Sequence, residues 1–236
     1  MGKRFRQKPC AYCDGIGVTA DHIFARKFFP VEDRGNLPQV SACERCNGEK
    51  SKLEHYLLSI LPFGGKHPAS SAILAGEVPR RLDKNRKLHA ELSDGKRPIL
   101  IRNADGVHES LLLPFDSDKL SQFFQFVAKG LVFHHWEVRV PSDYFVGAGL
   151  LTSDGERLFE QLMRQPSRAE ARGNLGRGLI LYQGIQTLEN SLSTLWRFQL
   201  YGGIQFSGDP RLSAEAPSNI WASTTHNLMP GLPAAR

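Results

Sequence analysis

The sequence predicts an α+β fold, and three observations predict it. Short β-branched segments in the first 60 residues lead into a Leu-bearing helical repeat. Aromatic and aliphatic stripes of helical period recur after residue 110. Segments with strand character, bounded by Gly, Asp and Ser, sit between and after those stripes. No internal repeat is present.

Taken in order, "MGKRFRQKP" is a basic lead. "GVTADHI", preceded by Gly15 and Gly17, suits a strand or tight hairpin, "PVEDRGNLPQ" a loop, and "QVSA" a short strand. "CERCNGEKSKLEHYLLSIL" follows as a helix, with Leu53, Leu57, Leu58 and Leu61 on one side and Pro62 as its stop. Residues 61–97 read as a basic linker with one short helix. In 98–236, "PILIRN" and "VHESLLLP" flank "ADG", a hairpin signal. "DSDKLSQFFQFVAKGLVFHHWEV" is a central helix, and the adjacent His134, His135 and Trp136 at its end read as packing. "DGERLFEQLMRQ" is a shorter helix. "GLILYQG", "LWRFQLYGGIQFSG" and "SNIWAS" are strands. The expected organisation is a compact unit over 1–60, a basic linker over 61–97 and a small α+β domain over 98–236.

The net charge of +6 is uneven. Residues 1–60 carry ten Lys/Arg against seven Asp/Glu, and 61–97 carry eight against four; the remainder carries twelve against thirteen. An acidic partner, nucleic acid first, is therefore expected at the N-terminal half. No apolar run approaches the ~20 residues of a membrane span, and no apolar signal segment follows the basic start, so the cytoplasm is the expected location.

All four cysteines lie before residue 47, as Cys10/Cys13 and Cys43/Cys46. Two disulfides are formally possible. A reducing compartment and the C-x-x-C spacing favour one tetrahedral Zn2+ instead. Four thiolates leave no open position, so this zinc is structural. It also pins both ends of the 29-residue segment from Asp14 to Ala42.

An adjacent acid and imidazole, Asp21 and His22, sit inside that segment, which a structural zinc does not explain. C-x2-C, then "DH", then "NL", then C-x2-C-N-x-x-K resembles the HNH endonuclease family, in its branch with a ββα-metal core braced by four cysteines. The resemblance covers roughly residues 8–60. It implies metal-dependent hydrolysis of DNA, with His22 as general base and Asp21 as a ligand of a catalytic Mg2+ or Mn2+. Asn47 is implied as a further ligand, and Asn36 as a brace for the loop and the base. Lys50 matches a commonly basic position and is implied at a phosphate. The third signature position holds Asn where other members hold His.

The residue types suit that chemistry independently. A neutral imidazole takes a proton from water near pH 7. Carboxylate and amide oxygens suit Mg2+. Successive residues of a strand point to opposite sides, so Asp21 and His22 require a bend to share one ion. His55 stands about two helical turns beyond Asn47 and is expected outside the ion's reach. Asn47 can equally be a local helix-start residue. Arg26, Lys27, Arg45, Lys50 and Lys52 are the phosphate-contact candidates, with Arg80 to Lys87 as a further basic stretch. Restriction, phage-linked or antiviral defence is the role expected of such a nuclease, and a homodimer or a partner on the C-terminal domain would extend it. An RNase using the same site, and a catalytically silent zinc-stabilised nucleic-acid-binding or interaction module, stay open.

Overall fold

The computed structural model describes residues 5, 7–103, 106–204 and 219–226. Strands β1 (Thr19–His22) and β2 (Gln39–Ala42) pair antiparallel, with Asp21 opposite Val40 and His22 opposite Gln39. The loop between them contains two 3-10 turns, Arg26–Phe28 and Val31–Asp33. Its Phe24, Phe28 and Phe29 are buried, so the aromatic run is core rather than loop surface. Helix α1 (Glu44–Ile60) starts at Cys43, whose sulfur accepts from the Cys46 amide, and buries Leu53, Leu57 and Leu58. A 3-10 turn at Leu61–Gly64, containing Pro62, ends it.

The expected linker is instead two packed helices, α2 (Pro68–Lys84) and α3 (Arg86–Gly95). Gly76 and Pro79 obscure α2 in the sequence, since both disfavour a helix interior. Packing overrides them. Ile73 and Val78 are buried, and the Arg81 guanidinium donates to the carbonyls of Leu58 (2.8 Å) and Lys27 (3.1 Å). Asn85 caps α3 by accepting from the Leu88 amide.

Strands β3 (Arg97–Asn103) and β4 (Gly106–Leu112) form the expected hairpin, although Ala104 and Asp105 of its turn lie outside the described residues. Helix α4 (Ser117–Trp136) is the central helix, capped by Asp116 and ended by Glu137 in a left-handed conformation (φ 56°). A five-stranded antiparallel sheet follows in the order β5-β9-β8-β7-β6. Its strands are β5 (Phe145–Leu150), β6 (Ala169–Leu175), β7 (Ile180–Gln186), β8 (Thr194–Leu200) and β9 (Ile220–Thr225). The strand expected through "GGIQFSG" stops at Leu200, and residues 205–218 lie outside the described residues. β5 and β6 were not expected. β6, "AEARGNL", has little β-branched character and exists by pairing along the edge of β7.

Helix α4 packs on β5 and β9. Helix α5 (Ser153–Met163) lies against Arg197 of β8, which pairs with Glu156 and Glu160 and stacks on Phe159. The mixed α+β class is as expected. The apolar core, however, runs unbroken from Cys10 to Ala222. Phe24 meets Phe123 of α4 and Tyr182 and Phe198 of the sheet. Gly130 permits this approach, because a Cβ there would stand 3.2 Å from Ile23 and 3.3 Å from Tyr12. Among the described residues, no helix is long and apolar enough to cross a membrane.

The Gly184 position is tighter still: a Cβ there would lie 2.2 Å from the buried Trp196 ring. Gly184→Ala is expected to lower the unfolding free energy by about 1–3 kcal/mol through overpacking, read by denaturant titration.

Candidate metal centre and nucleic-acid site

The two C-x-x-C turns meet. Cys10 lies in a tight turn closed by its own amide donating to the Gly15 carbonyl (2.9 Å). The Ala11 amide donates to Ser41 of β2 (2.9 Å), which holds this turn against the start of α1. All four sulfurs lie within 4.8 Å of one another, and Cys13 Sγ is 3.7 Å from Cys43 Sγ. A regular tetrahedron with Zn–S bonds of ~2.3 Å has edges of ~3.8 Å, so a zinc ion fits. Backbone amides of Tyr12, Gly15, Cys43 and Cys46 donate to these sulfurs at 3.4–3.5 Å, an arrangement that stabilises thiolates. Burial pushes the Cys10 and Cys46 thiols up. Burial also acts upward on Cys13, but the Gly15 amide and the neighbouring sulfurs outweigh it and bring that thiol down to about 7. A divalent ion supplies the positive charge that four crowded thiolates require.

The β1-β2-α1 unit next to this cluster is a zinc-binding ββα-type module in outline. Its interior is polar. Asp21 is buried on the side of β1 that faces α1, and Lys50 is completely buried. The Lys50 ammonium donates to Glu54 (2.5 Å), to the carbonyl of His22 (2.7 Å) and to Asp21 Oδ1 (3.4 Å), and its ion-pair distance to Asp21 Oδ2 is 3.1 Å. The Tyr12 hydroxyl donates to the same Asp21 oxygen at 2.5 Å. Desolvation and the Asp21 charge hold the Tyr12 hydroxyl well above its usual range, so it stays a donor. Burial also raises Glu54, against the pull of Lys50. Lys50, expected at a phosphate, lies wholly inside the unit instead of on its surface. It is a fastener between α1 and β1.

Asn47 lies one turn before Lys50 and donates from Nδ2 to Thr19 Oγ1 (3.2 Å). Thr19 and Asp21 alternate on one side of β1, so Asp21 and Asn47 share the α1 side. β1 runs through His22 with unbroken pairing, and the required bend is missing. The His22 ring leaves the opposite side. Half-buried, it meets Gln39 of the neighbouring strand, Nε2 to Nε2 at 2.7 Å. Desolvation lowers the His22 pKa, the Asp21 charge opposes this, and Arg26 and Lys50 add to it. The imidazole is neutral at pH 7.

Asn36 adopts a left-handed backbone (φ 52°), which is the turn-forming role of that residue type. Among the described residues, the side chain bonded to His22 is that of Gln39 rather than Asn36. Arg26 and Lys27 are exposed on the turn after β1, and Lys52 is exposed on α1. Arg45 is exposed on α1 between Cys43 and Cys46. In the Arg80–Lys87 stretch, Arg81 turns inward while Arg80, Lys84, Arg86 and Lys87 stay on the surface. His55 is exposed, away from the Asp21 side. Two surface grooves, of about 400 and 450 Å3, lie elsewhere: one against α2 and α3 at Asp83 and Arg86, the other on β6–β8 at Arg172 and Arg197.

Sequence reasoning missed Tyr12, Glu54 and Gln39. The Lys50/Glu54 pair carried a signal, an i,i+4 opposite-charge spacing. Tyr12 and Gln39 carried none, because their contacts are made by pairing across the fold. Comparisons with protein-family models, curated proteins and solved structures return no match.

The zinc-loaded chain is expected to carry one equivalent of metal by mass spectrometry under native conditions. Cys46→Ser should lose it and unfold at a markedly lower temperature. Lys50→Met should cost about 3–5 kcal/mol in denaturant titration, because it leaves two buried carboxylates without their cation. Adding Asp21→Asn and Glu54→Gln to that variant should recover much of the loss.

Proposed function

We propose that the chain is a metal-dependent endonuclease of the HNH type, hydrolysing phosphodiester bonds of DNA with His22 as general base. The observation that carries this reading is a half-exposed, neutral imidazole held at the end of β1 in a cysteine-caged β-β-α unit. His22 accepts a proton from the attacking water. Arg26 and Lys27 stand exposed just downstream and hold the phosphate backbone electrostatically, as does Lys52 on α1. Arg45 and the surface residues of the Arg80–Lys87 stretch extend the basic surface.

Asp21 and Asn47 are the residues that would hold the catalytic Mg2+ or Mn2+, and doing so beside the His22 ring requires the end of β1 to bend when the ion binds. Their oxygens are of the right type, and they share one side of β1. The nearest charge is the Lys50 ammonium. It lies closer to Glu54 and to the His22 carbonyl than to Asp21, so it keeps two oxygens if the Asp21 carboxylate serves an ion. When bound, the ion supplies charge stabilisation at the phosphate. The C-terminal sheet and helices support the module through the shared core and offer the surface for a second copy or a partner. Phage restriction or defence is the setting proposed for this activity.

A second reading rests on the same Lys50 contact. With Asp21 already neutralised and facing away from the His22 ring, the module binds nucleic acid or protein without cutting. An RNase with the same site is the remaining enzymatic alternative.

Zinc-loaded chain incubated with supercoiled plasmid and Mg2+ or Mn2+ is expected to give nicked or linear DNA, and His22→Ala to reduce the rate at least 100-fold at equal zinc content. Cleavage of RNA alone would move the substrate assignment. Binding of DNA with no cleavage of either polymer would support the silent module, and equal cutting by wild type and His22→Ala would remove His22 as the base.

A further inference from the structure

We propose that Gln39 is the positioning residue for His22, an inference that rests on His22 being the base. The two residues face each other across the β1–β2 pair and point to the same side. Their side chains meet at 2.7 Å.

The chemistry of the contact is restrictive. The amide nitrogen of Gln39 has only hydrogens to give. His22 Nε2 therefore accepts, and the ring proton resides on Nδ1. Turned by half a rotation, the same amide offers Oε1, accepts from Nε2–H and leaves the Nδ1 lone pair for a proton. A primary amide holds the ring in either arrangement without moving the backbone. Only the second leaves a ring nitrogen free to act as base. Gln39 thus selects which nitrogen works and keeps the ring plane fixed while it does.

Gln39 is itself held from a distant part of the chain. The Ile23 amide donates to the Pro38 carbonyl at 3.0 Å, one residue away. α4 packs on β2, so the placement of Gln39 depends on the central helix.

The test uses the full zinc-loaded chain labelled with 15N. Long-range proton–nitrogen spectra of the imidazoles report the tautomer of His22. Wild type is expected to show one dominant tautomer, and Gln39→Met, similar in length but without hydrogen bonds, to show an averaged pair. In plasmid cleavage, Gln39→Met should lower kcat 10- to 100-fold with KM and zinc content unchanged. Gln39→Glu, which keeps an acceptor oxygen, should recover most of that loss; a purely structural role would be satisfied by Met and not need the oxygen. Unchanged His22 signals in Gln39→Met overturn the inference whether or not the chain cuts DNA. Equal cutting by His22→Ala and wild type overturns the base reading, and with it the catalytic role of Gln39, whatever the spectra show.

Discussion

The buried ammonium of Lys50 is the contact on which the N-terminal unit depends. A fully desolvated charge costs several kcal/mol unless strong partners surround it. Here Glu54, Asp21 and the carbonyl of His22 do so at 2.5, 3.1 and 2.7 Å. One side chain thereby joins a helix to a strand and fixes the backbone of the imidazole that the strand presents. The rest of the α1–β1 register follows. Asn47 stands one turn earlier on the helix and Thr19 two residues earlier on the strand, and those two are bonded to each other. Helix and strand run alongside in the same direction, which sets Asn47 against Thr19 and Lys50 against Asp21.

The cysteine cluster solves a different problem. Between Cys13 and Cys43 the chain makes two short strands and two single turns, too little regular structure to define its own ends. The four sulfurs, gathered within 4.8 Å of one another, close that segment, and a zinc ion held by them would lock it. The aromatic residues within it then reach beyond the module: Phe24 packs on α4 and the sheet, and the Tyr201 hydroxyl meets the Phe28 carbonyl at 3.4 Å. The unit is braced by the four-cysteine cluster on one side and by the C-terminal half on the other. The second half is therefore part of what shapes the surroundings of the β1–β2 loop, through Gly130 and the ring of Phe123.

The sequence by itself determined the elements whose signal is local. Paired C-x-x-C turns specify a tetrahedral thiolate cage because the spacing sets the geometry. The α1 and α4 helices were legible from apolar residues at helical period, and the β3–β4 hairpin from its turn residues. The tertiary structure alone decided what depends on partners far along the chain. α2 forms despite Gly76 and Pro79 because α1 covers it, and β6 forms because β7 supplies its hydrogen bonds. Lys50 looked like a surface cation, since nothing in "CNGEKS" shows that Asp21 and Glu54 will enclose it. Gln39 became the neighbour of His22 only through strand register, which a loop of 16 residues between the two strands does not encode. Residue type announces which chemistry is possible at a position; the fold chooses which side chains are brought within hydrogen-bond distance to perform it.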